Sequence, residues 1–234
     1  MTISRNLSVK INRLLDQLIP PLLRDQKFIV KPVYRLILKD KVEFFLNFKE
    51  NAFAMSEKEF IETNRSVSAV LIERKTDLND QCFDEIMNHI VGEKVLEIGC
   101  GRGHLANEIS KTHSVTACDI VIDKSLYQRY PSLSFKEANI EHLPFADAEF
   151  DTVICTHTLE HVQNIFKAIN EIRRVCRKRS IIVVPKQRPY KYTLDLHLHF
   201  FPYKHSLLAL MGSGRKNICK EVGGDLLYIE DRAR

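Results

Sequence analysis

The sequence predicts a doubly wound, mostly parallel α/β sheet with an N-terminal helical extension. Three observations carry that expectation. Short apolar runs alternate strictly with amphipathic segments from Lys94 onward. A glycine-rich loop directly succeeds the first of these runs, and residues 1–90 lack the alternation of strands. The domain division expected from this is a helical extension over 1–90 and an α/β domain over 91–234.

Within the extension, Ile11, Leu14, Leu15, Leu18 and Ile19 recur at helical spacing, and Pro20-Pro21 ends that helix. Val33 to Phe48 is apolar with Lys and Asp interspersed. Ser56-Glu57-Lys58-Glu59 has the capping-box form that opens a helix. A loop over Thr76–Asp80 leads to a further helix over Gln81–Ile90. In the second half, strands are expected at Val95–Ile98, Ser114–Cys118, Leu133–Glu137, Asp151–Cys155 and Ile181–Val184, the last closing at Pro185. Helices are expected over Arg102–Lys111, over Asn164–Cys176 and over 203–211, with Ile165, Ile169, Ile172 and Cys176 forming one stripe of the second. Residues 216–222 and 225–230, joined across Gly223-Gly224, read as a terminal antiparallel hairpin.

The chain has 234 residues and a net charge of +5, too mild a surplus to argue for nucleic acid. It contains no apolar run of ~18 residues and opens without a signal-peptide pattern, so a cytoplasmic location is expected. Its six cysteines make no CxxC pair and read as buried thiols. Charge is uneven: residues 1–49 hold ten basic and four acidic side chains, a difference of +6. The basic, leucine-rich stretch 5–41 reads either as the solvated face of a packed helical cap or as a peripheral contact with the inner face of an anionic membrane.

In open α/β sheets ligands bind beyond the carboxyl ends of strands, where strand order reverses. The loop there is Glu97-Ile98-Gly99-Cys100-Gly101-Arg102-Gly103, and the next strand ends in Asp119, a carboxylate able to accept two hydrogen bonds from a ribose diol. A nicotinamide dinucleotide fingerprint, G-x-G-x-x-G, would place its third glycine at 104, where this chain has His104. The additional carboxylate of Glu97 disfavours a pyrophosphate and suits a cationic ligand.

At this point the sequence resembles the class I S-adenosylmethionine (SAM)-dependent methyltransferases. Val95 to Gly103 looks like that family's first motif and Val115 to Ile120 like its second. Ala138 to Phe145 is similar to the adenine loop, and Phe150 to Val162 to the fourth strand and the helix after it. The resemblance covers residues 93–185 and implies a Rossmann-like, seven-stranded sheet with SAM as cofactor. It places Gly99, Cys100, Gly101 and Gly103 along the methionine part of SAM and Glu97 at its amino group. It also places Asp119 on the ribose, Ile120 and Ile140 against the adenine, Asn139 on the adenine amino group, and Thr156 near the cofactor. Asn139 stands where the family usually has Asp.

His157 and His161, four apart at an expected helix start, are the candidate catalytic bases for a hydroxyl acceptor. His197 and His199 fall in an alternating segment, Tyr192–Phe201, that reads as an edge strand or acceptor wall. Two such ligands without a third are weak grounds for a metal, and none is expected. The resemblance implies methyl transfer to an oxygen or nitrogen on a small-molecule, glycan or lipid-linked acceptor, with bacterial surface glycan biosynthesis as one setting. The alternatives are RNA or protein methylation and a SAM-fold scaffold without turnover. Thr156-His157-Thr158-Leu159 lacks the Asn-Pro-Pro-Tyr pattern of base-amino methylation, and the intact glycines with Asp119 speak against a scaffold.

Overall fold

The computed structural model describes residues 20–38, 41–68, 76–192, 195–212 and 216–232. The helix expected from Ile11 to Ile19 lies outside them, as do residues 5–19 of the basic stretch. The chain divides into two compact units. One takes in the chain up to Arg74 together with Gln187–Phe200, and the other is Lys75–Lys186 with Phe201–Arg234. The helix Asp80–His89 falls in the second unit, where it buries Cys82 and Ile86.

The first unit is helical among its described residues: α1 (Pro21–Arg24), α2 (Lys27–Leu38), α3 (Val42–Ala52) and α4 (Glu57–Ser68). The capping box forms, with the Glu59 carboxylate accepting from the Ser56 amide at 2.8 Å. Of the two readings of Tyr192–Phe201, edge strand or acceptor wall, the strand does not form among its described residues. Side chains hold it instead. The Lys49 ammonium lies 4.0 Å from the Tyr190 ring centre and 4.2 Å from that of Phe200, and donates to the Tyr190 carbonyl. Within the same segment His197 Nδ1 lies 2.7 Å from Gln187 Oε1, and the His199 ring meets Phe53 edge-on.

The second unit is a seven-stranded sheet in the order β3-β2-β1-β4-β5-β7-β6. Its strands are β1 (Lys94–Ile98), β2 (Ser114–Asp119), β3 (Ser134–Glu137), β4 (Phe150–Thr156), β5 (Cys176–Pro185), β6 (Asn217–Val222) and β7 (Asp225–Asp231). The first five run parallel, and β7 is antiparallel to both β5 and β6. Alternate residues of each strand feed two cores, one on either face. Leu96, Ile182, Val184 and Tyr228 join one, while Val95, Ile181, Val183 and Ile229 join the other. Gly223 and Gly224 both have positive φ, as a two-residue hairpin turn of the primed type requires.

The helices of this unit are α5 (Asp80–His89), α6 (His104–Ile109), α7 (Ser125–Arg129), α8 (Ile165–Val175) and α9 (Lys204–Met211). Helix α8 is capped by Asn164 and buries Ile165, Ala168, Ile169, Ile172 and Val175. It ends one residue earlier than the periodicity suggests, because Cys176 already opens β5. That strand starts five residues earlier than its apolar run. Its polar beginning is paired by Arg179 with Asp231 and anchored through Arg177 and Lys178 on Asp151.

Asp151 joins three strands. One carboxylate oxygen accepts from the amides of Glu93 and Lys94 at 3.0 and 3.2 Å, and the other meets Arg177 and Lys178 at 2.6 and 3.0 Å. Burial opposes the charge, but Lys178, the two amides and Arg177 outweigh it and hold the carboxyl well below the usual range. A depressed acid contributes stability above its unfolded pKa of about 3.9 and loses it as pH falls. Asp151→Asn is therefore expected to cost about 2–3 kcal/mol in urea denaturation at neutral pH. The deficit should shrink below about pH 4, and a deficit independent of pH would contradict this reading.

Candidate cofactor site

Strand order reverses between β1 and β4, so the loops at their carboxyl ends diverge and leave a crevice. Hydrogen bonds fix the β1 loop. The amides of Gly99 and Cys100 both donate to the Cys118 carbonyl, at 2.8 and 3.0 Å, and the Gly101 amide donates to Asp119 Oδ2 at 2.8 Å. The Thr158 hydroxyl, after β4, donates to the Thr156 carbonyl at 2.9 Å and reaches the Ile98 carbonyl. Gly99 has φ +73°, and a Cβ there would lie 1.9 Å from Thr158 Oγ1. The two strand ends meet at that glycine. Around the site of a Cβ on Gly101, by contrast, no atom lies within 4 Å, so backbone is presented to open space.

Glu97 is 2 % exposed, and its Oε2 has no hydrogen-bond partner among the described residues. Burial pushes its pKa up to about 8; the Ala106 amide opposes this and the charge of Asp119 adds to it. Asp119 is also raised, by burial first, against the amides of Gly101, Val121 and Ile120. Two neighbouring carboxyls, both raised, form a site that gains from an arriving cation. The free oxygen of Glu97 suits an ammonium donor, and the open face of Gly101 admits a ligand against the backbone. Both fit the amino-acid end of SAM.

Other expected positions fall differently. Cys100 contributes its amide, while its thiol is buried in the core and pushed up by burial. Gly103 caps α6 in a left-handed conformation. Asn139 Oδ1 accepts from the Glu141 amide at 3.0 Å, capping a short 3-10 turn over Ile140–His142. Ile140, expected against the adenine, is packed in the core with Leu143 and Leu159. Ile120 is half-buried beside Asp119, and Thr156 is buried at the end of β4.

The histidines require a correction. Residues 157–163 form turns, and the helix begins only at Ile165, so the shared helical face expected for His157 and His161 does not exist. His157 has φ +48° and is clamped between Glu160 (Nδ1 to Oε1 3.5 Å) and Asp225 (Nε2 to Oδ2 3.4 Å). Burial alone would lower its pKa, but hydrogen bonds and charge from Asp225 and Glu160 raise it to about 10. An imidazole already protonated at neutral pH is no general base. His161 is half-buried, its Nε2 4.0 Å from Glu160 Oε1.

Sequence reasoning missed Glu160 and Asp225. Asp225 is joined in turn by the Asn79 side chain at 2.8 Å, which caps α5 through the Cys82 amide. The cap is legible in Asn79-Asp80, but nothing local announces a pairing across 146 positions.

Comparison with known proteins agrees with this geometry. Residues 96–184 match the family described as Methyltransferase domain. Over that stretch the chain is similar to methyltransferases. The domain is similar to the O-methyltransferase resE of Aspergillus sclerotiorum, 33% identical over 103 residues, 40% of this chain and 39% of that protein. An uncharacterized protein of Methanocaldococcus jannaschii is 42% identical over 91 residues, 38% of this chain and 39% of that one. The chain thus spans about two fifths of the length of these curated relatives. In fold it resembles the 1,6-didemethyltoxoflavin-N1-methyltransferase of Burkholderia thailandensis, whose structure holds S-adenosylhomocysteine (TM-score 0.57, 18% identity, 80% of this chain and 90% of that one). A SAM-dependent methyltransferase from Thermotoga maritima shares the fold at TM-score 0.53 and 13% identity, over 81% of this chain and all of that one.

A raised histidine stabilises the fold fully below its unfolded pKa of about 6.5 and loses that contribution as pH rises through its folded value. His157→Gln is thus expected to destabilise the domain by about 3 kcal/mol near pH 6, where two buried carboxylates lose their cation. Near pH 10 the deficit should be about half that or less, because the wild-type imidazole is itself losing its proton. Equal deficits in denaturant titrations at both pH values would contradict the charged assignment.

Proposed function

We propose that this protein is a SAM-dependent methyltransferase acting on an oxygen or nitrogen nucleophile of a small-molecule acceptor. The supporting observation is the partnerless oxygen of buried Glu97 at the switch point, beside Asp119 and the open backbone of Gly101. Bound there, SAM would supply an activated methyl on a sulfonium, so that transfer needs chiefly alignment and exclusion of water. Glu97 would hold the ammonium, the glycine loop would let the ligand lie against the backbone, and Asp119 would orient the ribose hydroxyls while remaining tied to the Gly101 amide.

Relatives named as O-methyltransferases support oxygen as the acceptor atom. With His157 held protonated, His161 is the histidine of the pair left to take a proton from a hydroxyl acceptor. A glycan or lipid-linked acceptor is the narrower reading and rests on the basic N-terminal segment. Five buried thiols and the half-buried Cys219, free of disulfides among the described residues, support a cytoplasmic setting.

Asp119→Ala is expected to weaken SAM binding by about 1.5–3 kcal/mol in calorimetric titration, the scale of hydrogen bonds to a charged group. Affinity equal to wild type would remove Asp119 from the cofactor site. His161→Gln should leave SAM affinity unchanged and slow transfer to a hydroxyl acceptor by about 100-fold or more. Full turnover in that variant would leave positioning as the whole of catalysis.

A further inference from the structure

Among the described residues, ten large apolar side chains are exposed, and four of them fall within eight consecutive positions: Leu22, Leu23, Phe28 and Ile29. Leu22 and Phe28 are 76% and 75% exposed, more than any of the other eight. The remainder, such as Tyr127, Phe166 and Ile218, lie far apart in sequence. Scattered apolar side chains are ordinary on a protein surface, whereas a concentration of this kind marks a contact surface. Pro20, Pro21 and Pro32 are exposed beside them.

Most of the charge around this ridge is positive, with Glu43 pairing Lys31 at 2.5 Å. On α2, Phe28, Pro32 and Arg35 succeed one another at i, i+4 and i+7 and share a face, and all three are exposed. Lys27 is half-exposed between the leucines and Phe28, with Glu43 3.9 Å away. Over residues 20–35 the cations are Arg24, Lys27, Lys31 and Arg35 against Asp25 alone. No helix among the described residues is long and apolar enough to cross a membrane, so a lipid contact here would lie along the surface.

We propose that the ridge formed by Leu22, Leu23, Phe28 and Ile29, with Lys27 and Arg35, is a docking surface for an anionic lipid bilayer. The apolar side chains enter the boundary between headgroups and acyl chains, and the cations meet anionic headgroups. The neighbouring sequence from Arg5 to Ile19 continues the same mixture of leucine, isoleucine and basic residues. The proposal is independent of the methyl-transfer reading, since it concerns where the protein works and not what it transfers.

The test is co-sedimentation of the full chain with phosphatidylcholine vesicles, with and without phosphatidylglycerol. Wild type should partition about tenfold more strongly onto the anionic vesicles, and high salt should reverse most of that gain. Leu22→Glu combined with Phe28→Glu should lower partitioning about tenfold or more with the melting temperature unchanged. Lys27→Gln and Arg35→Gln, both at the surface, should each lower it about fivefold. Partitioning indifferent to anionic lipid and to these substitutions would overturn the proposal. Self-association in analytical ultracentrifugation that the double glutamate variant abolishes, without vesicle binding, would assign the ridge to a second copy and overturn it equally.

Discussion

Glu97 sits near the carboxyl end of β1 with one oxygen unpartnered among the described residues, a burial that costs on the order of a few kcal/mol unless the group is neutral or meets a cation. The rest of the site depends on that position. The order β3-β2-β1-β4-β5-β7-β6 puts the end of β1 at the reversal, where no crossover helix can cover it. The loop after Glu97 must then turn at once, which Gly99 allows by yielding its Cβ space to Thr158. Asp119 ends the neighbouring strand and is tied to the same loop by the Gly101 amide. Two acidic groups and a bare stretch of backbone are thereby held together by the sheet itself, and a ligand with an ammonium and a sulfonium is complementary to them.

A second buried charge cluster does different work nearby. His157 is a cation between Glu160 and Asp225, and Asp225 is in turn held by Asn79. The cluster connects the turn after β4, the start of β7 and the N-terminus of α5. It suits a bracing role better than proton transfer, because an imidazole with two carboxylates around it gives up its proton only at high pH. Glu97 keeps one oxygen without a hydrogen-bond partner among the described residues and has no cation beside it, whereas His157 lies between two carboxylates, and that difference in charge pairing separates a ligand site from a structural joint.

Much of this was legible in the sequence. The apolar runs at Val95–Ile98 and Ile181–Val184, the stripe of α8, the Ser56–Glu59 cap and the Gly223-Gly224 hairpin are local signals, and each forms where its pattern falls. Glu97, the glycines and Asp119 stand out in sequence because their spacing reflects the sheet's own geometry, and the fold brings them together at the ends of β1 and β2. The failures are non-local. The polar start of β5 is a strand only because Asp151 and Asp231 pair its cations. His157 and His161 look like helix neighbours four apart, yet tertiary partners hold that segment as turns. Tyr192–Phe201 alternates like a strand, yet its described residues form none, and Lys49 packs over the rings of Tyr190 and Phe200 instead.

The most direct measurement is calorimetric titration of the protein with SAM, and separately with NAD, near pH 7 in buffers of different ionisation enthalpy. Burial pushes the Glu97 pKa up to about 8, so at this pH it is largely neutral and must ionise to hold an ammonium. The account predicts saturable SAM binding accompanied by release of a proton, with no response to NAD. Folded protein that binds NAD, or that fails to bind SAM, would contradict it.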